Sequence, residues 1–148
     1  MSYKVKNDDL REELEKYRKS CTFKEVMTMK GHWRTRIDKR GKISDELAKM
    51  IMTISEGLSR KGNWKGYTWR EDFVQAGILT TLKYMHNYNS DVNSNAHGYI
   101  NRICYNCFLQ YIQKEKRLSD VKKKVYDKKD ELNNDGGAIN YKTLLDFE

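Results

Sequence analysis

The chain has 148 residues, of which 38% are hydrophobic and 34% charged, so it can build one modest core but not two. Its 29 Lys and Arg residues against 21 Asp and Glu residues give a formal net charge of +8, which favours a polyanionic partner such as nucleic acid, although many small basic proteins are merely soluble. Proline is absent and blocks rich in Val, Ile and Thr are lacking, so we expect an all-α fold, a small helical domain with a flexible C-terminal tail.

Residues 1–42 are predicted to hold a short helix and a basic arm. From Asp8 to Lys19, three apolar residues lie on one side of a charged helix: Leu10, Leu14 and Tyr17. The segment GHWRTRIDKRGK around Trp33 then combines five basic residues with one acid. An exposed arm that touches phosphates and a solvated linker both fit that composition.

Residues 43–132 are predicted to form the main helical domain. Ser44 is a candidate N-cap for a first helix, whose apolar residues follow at helical spacing: Leu47, Met50, Ile51, Ile54 and Leu58. Thr68 and Glu71 have the spacing of a capping box for a second helix. The buried stripe of that helix is predicted to contain Phe73, Val74, Gly77, Ile78, Thr81, Leu82 and Met85.

After the polar loop YNSDVNSNA, the strongest helical pattern of the chain begins at His97. Apolar pairs recur every four residues: Tyr99–Ile100, Ile103–Cys104, Cys107–Phe108 and Tyr111–Ile112. The opposite face is rich in amides and cations: Arg102, Asn106, Gln110, Gln113, Lys114 and Arg117. Aromatics beside amides and cations suit the capture of unpaired bases, although such a face could simply be solvated. Residues 118–132 are predicted to be a partly exposed helix.

The cysteines and the remaining polar residues give no sign of catalysis. Cys21, Cys104 and Cys107 form an odd set, which argues against a disulfide framework. Cys104 and Cys107 have the spacing of zinc ligands but lack a second ligand pair, so core packing is the better interpretation. Paired carboxylates, a nucleophile–base set and a glycine-rich phosphate loop are also missing. We therefore expect no enzyme activity, no metal and no cofactor.

The two ends of the chain carry further expectations. No signal peptide and no long apolar run occur, so the protein is expected to be intracellular and to have no membrane partner. Residues 133–148 begin with the linker NNDGGAIN and end in three large apolar residues: Leu144, Leu145 and Phe147. This tip could dock on a partner or fold back on its own domain.

Several motifs resemble those of a known family. Glu71-Asp-Phe-Val-Gln-Ala-Gly77 resembles the D-L-x-Q-E-G element of sigma-factor region 2, and Tyr99-Ile100 stands in place of Tyr-Ala. Ile54-Ser-Glu-Gly-Leu58 and Gly66-Tyr-Thr68 look closest to the late-transcription sigma factors of T-even-type bacteriophages. The resemblance covers roughly residues 43–117 and the terminal residues 144–147.

The resemblance implies partners for each segment. The second helix would bind the coiled-coil clamp helices of the largest subunit of the bacterial RNA polymerase core, with Glu71, Asp72, Gln75 and Leu79 as contacts. The helix that begins at His97 would bind promoter DNA, including the melted non-template strand. Tyr99 lies where these factors stack the flipped adenine. Asn106 lies where they have a glutamine that reads the upstream duplex edge. The remaining implied DNA contacts are Arg102, Tyr105, Gln110, Gln113, Lys114 and Arg117. The tail, with Leu144, Leu145 and Phe147, is similar to the segment that holds the phage sliding clamp.

The chain also departs from the family. Housekeeping sigma factors have a tryptophan pair where this chain has Arg102 and Ile103, so the unstacking wedge is altered. The chain has no room for the helix-turn-helix domain that reads the distant promoter element. We therefore expect a reduced sigma factor in the cytoplasm of an infected host, which melts an AT-rich late promoter near the start site with help from the clamp or a phage coactivator. The alternative is a helical accessory protein that binds DNA or polymerase without reading the promoter.

Overall fold

The computed structural model describes residues 4–134, which form four α-helices and one two-stranded sheet. In chain order these are α1 (Asn7–Ser20), β1 (Thr22–Met27), β2 (Trp33–Lys39), α2 (Asp45–Ser59), α3 (Arg70–Tyr84) and α4 (Ala96–Asn134). Short 3-10 turns lie at Gly62–Trp64 and Met85–Asn87. The chain divides between Phe108 and Leu109 into two compact units, and α4 runs through both. Over the described range, no helix is long and apolar enough to cross a membrane.

Helix α1 belongs to the core of the first unit. The predicted apolar side is confirmed, because Leu10, Leu14 and Tyr17 are buried. The helix packs against α2 and against the turn Met85–Asn87. Its first turn is acidic and its last turn basic, the arrangement that the helix dipole favours.

The segment around Trp33 that was predicted as an arm or linker forms the second strand of a β-hairpin, so the expectation of a strictly all-α fold is wrong. Strands β1 and β2 pair antiparallel, with Phe23 opposite Ile37 and Met27 opposite Trp33. The loop between them closes through a hydrogen bond from the Thr28 amide to the His32 carbonyl (2.8 Å). Gly31 supplies the positive φ of +76° that this turn requires. Whole-chain composition concealed these strands because their alternation of apolar and charged residues is local and short.

Helix α2 confirms the predicted periodicity and α3 does so in part, since Ile78 and Leu82 of its predicted stripe are only half-buried. Only one of the two predicted caps forms. The Ser44 hydroxyl accepts a hydrogen bond from the Leu47 amide (3.2 Å), as expected of an N-cap. Thr68 does not cap α3, which begins one residue later than expected, with Trp69 at the N-cap position. Main-chain hydrogen bonds form the start of α3 in place of a side-chain cap. The Arg70 amide donates to the Tyr67 carbonyl (3.3 Å), and the Phe73 amide donates to the Trp69 carbonyl (3.0 Å).

An aromatic cluster joins α3 to the first part of α4. Phe73 and Phe108 lie with ring centroids 4.7 Å apart, and Trp64 lies 5.9 Å from Phe73 and 5.4 Å from Phe108. Trp64 is only 3% exposed although it lies in the short 3-10 turn Gly62–Trp64, outside the predicted helices. Rings at these distances, tilted or edge-on, contribute about 0.5–1.5 kcal/mol per pair beyond the area they bury. The cluster therefore fixes the position of the loop before α3.

Helix α4 follows the predicted four-residue pattern. Within the first unit its buried stripe is Ile100, Cys104 and Phe108, and Ile112 is buried further along. The Asn95 side chain accepts a hydrogen bond from the Gly98 amide (2.8 Å), and Asn7 accepts one from the His97 amide (3.1 Å). These two amides satisfy main-chain donors at the helix start. In the second unit α4 continues without interruption to Asn134 and is mostly exposed.

Candidate nucleic-acid interface

The four residues expected to contact polymerase lie on the exposed side of α3. Glu71, Asp72 and Gln75 are exposed, and Leu79 is 59% exposed. Residues spaced by three and four share one face of a helix, so Gln75 and Leu79 are neighbours, with the two carboxylates in the turn before them. The opposite side of α3 is buried through Phe73, Val74, Gly77 and Thr81. An exposed leucine on the same face as an amide and two acids is a surface that a partner can cover.

Tyr99 is half-buried at the start of α4. Its ring centroid lies 5.2 Å from that of Tyr88, and its hydroxyl donates to the Tyr84 carbonyl (3.3 Å). Burial raises the pKa of the Tyr99 phenol, so the hydroxyl remains protonated and able to donate. The ring is thus anchored at both ends and has part of its surface at the solvent. An anchored ring loses little side-chain entropy when a base stacks on it.

Three further predicted contacts share the exposed side of α4 in the first unit. Arg102, Tyr105 and Asn106 are exposed and stand three and four residues apart. The Tyr105 ring packs edge-on against Trp64, with centroids 5.3 Å apart and planes at 75°. This helix therefore places a cation, a supported aromatic and an amide side by side. That is the set of groups needed to hold a phosphate, stack a base and bond to a base edge.

The remaining predicted contacts lie beyond the first unit. Gln110, Gln113, Lys114 and Arg117 are exposed on the second-unit part of α4. The candidate clamp residues Leu144, Leu145 and Phe147 lie outside the described residues.

A basic cavity that the sequence only hinted at lies between the hairpin and the end of α3. We define the basic cavity by the five cations that line its volume of about 690 Å³: Arg18, Arg34, Arg36, Arg40 and Lys83. Phe23, Tyr84 and His86 line it as well, and within the described part of the chain no carboxylate does. The basic arm suggested by composition contributes three of these cations. Helix α1 and helix α3 supply the other two, which no local pattern could have brought together.

The charge of the basic cavity is largely uncompensated. Ion pairs in the part of the chain that the structure describes join Arg11 to Glu15, Lys16 to Glu13 and Lys24 to Asp38, and none includes a cavity cation. Arg18 donates to the neutral Tyr88 carbonyl (2.8 Å) and lies 5.6 Å from the centre of the Phe23 ring. Burial lowers the pKa of His86, and the Arg40 cation lowers it further. The contribution of Arg40 to the lowered pKa of His86 reflects a local excess of positive charge.

Of the two cysteines with the spacing of zinc ligands, Cys104 is buried and Cys107 is half-buried, and both are free thiols. Cys104 is fully buried and its Sγ lies 3.5 Å from the Thr81 hydroxyl, while Cys107 Sγ lies 3.3 Å from the Thr80 hydroxyl. Burial raises the pKa of the Cys104 thiol, which keeps it protonated. Among the described residues, no three His, Cys, Asp or Glu side chains are grouped so as to hold a metal ion. The structure therefore places Cys104 among the core residues.

Comparison with known proteins adds no relative to this description: no protein-family model matches the chain, and no curated protein matches it.

Proposed function

We propose that this protein is a phage sigma-like transcription initiation factor, which binds the host RNA polymerase core and recognises and melts an AT-rich late promoter element near the start site. The exposed face of α3 would bind the clamp helices of the largest polymerase subunit. The exposed side of α4 would bind the promoter and its melted non-template strand. The tail would bind the phage sliding clamp. These steps involve binding and strand separation only, and they need no catalytic group.

The observation that carries this proposal is the environment of Tyr99. The sigma resemblance assigns to this position the ring that stacks a flipped adenine. In the structure that ring is half-buried and anchored by Tyr88 and by the Tyr84 carbonyl. Arg102 and Asn106 follow it at helical spacing on the exposed side. Flipping a base costs a few kcal/mol, and a pre-positioned ring with polar neighbours can offset that cost.

Run-off transcription from an AT-rich late promoter with core polymerase tests the proposal directly. Specific initiation that requires the protein is the expected result. Binding to polymerase without specific initiation would instead identify an accessory factor and refute the sigma role.

The stacking role of Tyr99 has its own test. Tyr99→Ala should reduce open-complex formation by about 5-fold to 150-fold, because base–aromatic stacking contributes about 1–3 kcal/mol. Tyr99→Phe keeps the ring and loses only the hydrogen bond to the Tyr84 carbonyl, so it should open the promoter nearly as well as the wild type. Permanganate footprinting measures opening, and fluorescence anisotropy measures polymerase binding.

Tyr126→Ala is the matched control, since Tyr126 is an exposed tyrosine further along α4. It should behave as the wild type in both assays. Equal loss of opening and of polymerase binding in Tyr99→Ala would contradict a stacking role, as would equal defects in Tyr99→Ala and Tyr99→Phe.

A further inference from the structure

We infer that the basic cavity is a binding site for single-stranded nucleic acid, in which the cations hold the phosphates and Tyr84 stacks a base. The site lies outside the residues that the sigma resemblance assigns to DNA. It rests on the proposed function only for identifying the strand as promoter DNA. Binding of a single strand to the free protein tests it independently.

The charge of the cavity argues for a polyanion. Five cations from α1, the hairpin and α3 converge on one cavity, and none is neutralised by a carboxylate within the described residues. Arg34, Arg36, Arg40 and Lys83 are all exposed, so an incoming phosphate reaches them without displacing core residues. Several cations around one groove exceed what a single small anion needs, and they fit the regular charges of a strand backbone.

The aromatic side chains argue for a strand with unpaired bases. Tyr84 is 52% exposed and Phe23 is 37% exposed, and both line the cavity beside the cations. A positively charged groove with rings on which bases stack is the usual arrangement for binding single strands without sequence preference. Duplex DNA keeps its bases stacked inside and cannot use these rings.

The cavity adjoins the candidate promoter-reading residue. The Tyr84 carbonyl accepts the hydrogen bond of the Tyr99 hydroxyl, while the same residue lines the cavity. A strand that stacks a base on Tyr99 would therefore have the cavity within reach. Through this adjacency, the hairpin would hold the strand after the base is flipped.

The first experiment measures the salt dependence of binding between the full-length protein and a labelled thymidine oligonucleotide. The variant Arg34→Gln, Arg36→Gln and Lys83→Gln removes three exposed cavity cations and keeps Arg18, which is hydrogen-bonded to Tyr88. Its slope of log affinity against log salt should fall by about 2, since each single-strand phosphate contact contributes about 0.7. The control Lys42→Gln, Lys49→Gln and Lys65→Gln removes the same charge from exposed positions outside the cavity and should keep the wild-type slope.

Equal slopes in the two triple variants would overturn the inference. Inorganic triphosphate is included as a competitor at matched charge. If it displaces the oligonucleotide as readily as unlabelled strand does, the cavity is a site for small anions instead. Circular dichroism confirms that both variants are folded before binding is measured.

The second experiment separates stacking from charge. Tyr84→Ala should weaken binding of the thymidine oligonucleotide several-fold and leave binding of an abasic strand of equal length unchanged. Equal loss on both strands would contradict the assignment of Tyr84. A protein that binds single strands through the cavity but fails to initiate transcription would refute the proposed function and leave this site standing.

Discussion

Gly77 is the residue at which α3 passes close to both α2 and α4. A Cβ built at this position would lie 2.8 Å from Cε1 of Phe108 and 3.1 Å from Oγ of Ser55. Phe108 belongs to the aromatic cluster and Ser55 donates to the Val74 carbonyl (3.1 Å), so neither neighbour can move without loss. A side chain at residue 77 would therefore separate the helices that carry the two candidate surfaces.

Gly77→Ala is expected to destabilise the protein by about 1–3 kcal/mol, because overpacking of a tight contact outweighs the gain in helix propensity. Gly57→Ala is the matched control, since Gly57 is also helical and a Cβ there would meet nothing within 4 Å. That substitution should be neutral or stabilising by up to about 1 kcal/mol. Urea denaturation followed by circular dichroism gives both free energies of unfolding. Equal stability of the two variants would show that the contact at Gly77 relaxes easily.

At the scale of elements, the helices could be predicted from the sequence and the hairpin could not. Leu47, Ile51, Ile54 and Leu58 recur at the helical period, and all are buried in α2. The strands β1 and β2 have only six and seven residues, and each is mostly exposed, so their apolar positions are too few to outweigh the charged ones. Their pairing depends on the turn at Gly31, a signal visible only when the two flanking segments are aligned as a hairpin.

The candidate surfaces also differ in how far the sequence predicts them, because a helical period is local whereas contacts between elements are not. The exposed residues of α3 and α4 follow from one helical period, so Gln75 and Asn106 could be placed on exposed faces directly. The basic cavity combines Arg18, Arg36 and Lys83 from three elements, and only the fold brings these together. Trp64 was missed because aromatic packing between a loop and two helices leaves no periodic trace.

The exposed face of α3 is proposed to bind polymerase, and truncating its side chains tests that role. Gln75→Ala combined with Leu79→Ala should weaken binding to core polymerase by roughly tenfold or more, as expected when interface residues that contribute over about 1 kcal/mol are truncated. The free energy of unfolding should change little, since both side chains are exposed in the free protein.

Lys49→Ala combined with Met52→Ala is the control for that prediction, because it truncates one polar and one apolar exposed side chain on α2. Biolayer interferometry on immobilised polymerase compares the two double variants. Equal affinities would show that polymerase does not cover this face of α3.

At the scale of the whole molecule, the proposed function predicts separable contributions from the net charge of +8 and from the apolar residues at the end of the sequence. Electrostatic attraction to DNA is long-ranged, independent of sequence and weakened by salt. A short apolar peptide binds through buried area at a preformed groove, and salt affects that binding little. Stimulation by the sliding clamp should therefore persist at salt concentrations that weaken unassisted initiation.

Leu145→Ala combined with Phe147→Ala tests this division. The variant should lose clamp-stimulated transcription and keep basal initiation, because the proposed polymerase and DNA contacts all lie before residue 133. Leu118→Ala combined with Tyr126→Ala removes similar apolar surface from exposed positions on α4 and should retain stimulation. Run-off transcription with and without the clamp, at low and high salt, measures both quantities. If stimulation survives in the tail variant, the clamp binds elsewhere, and if basal initiation falls equally, the tail acts on polymerase instead.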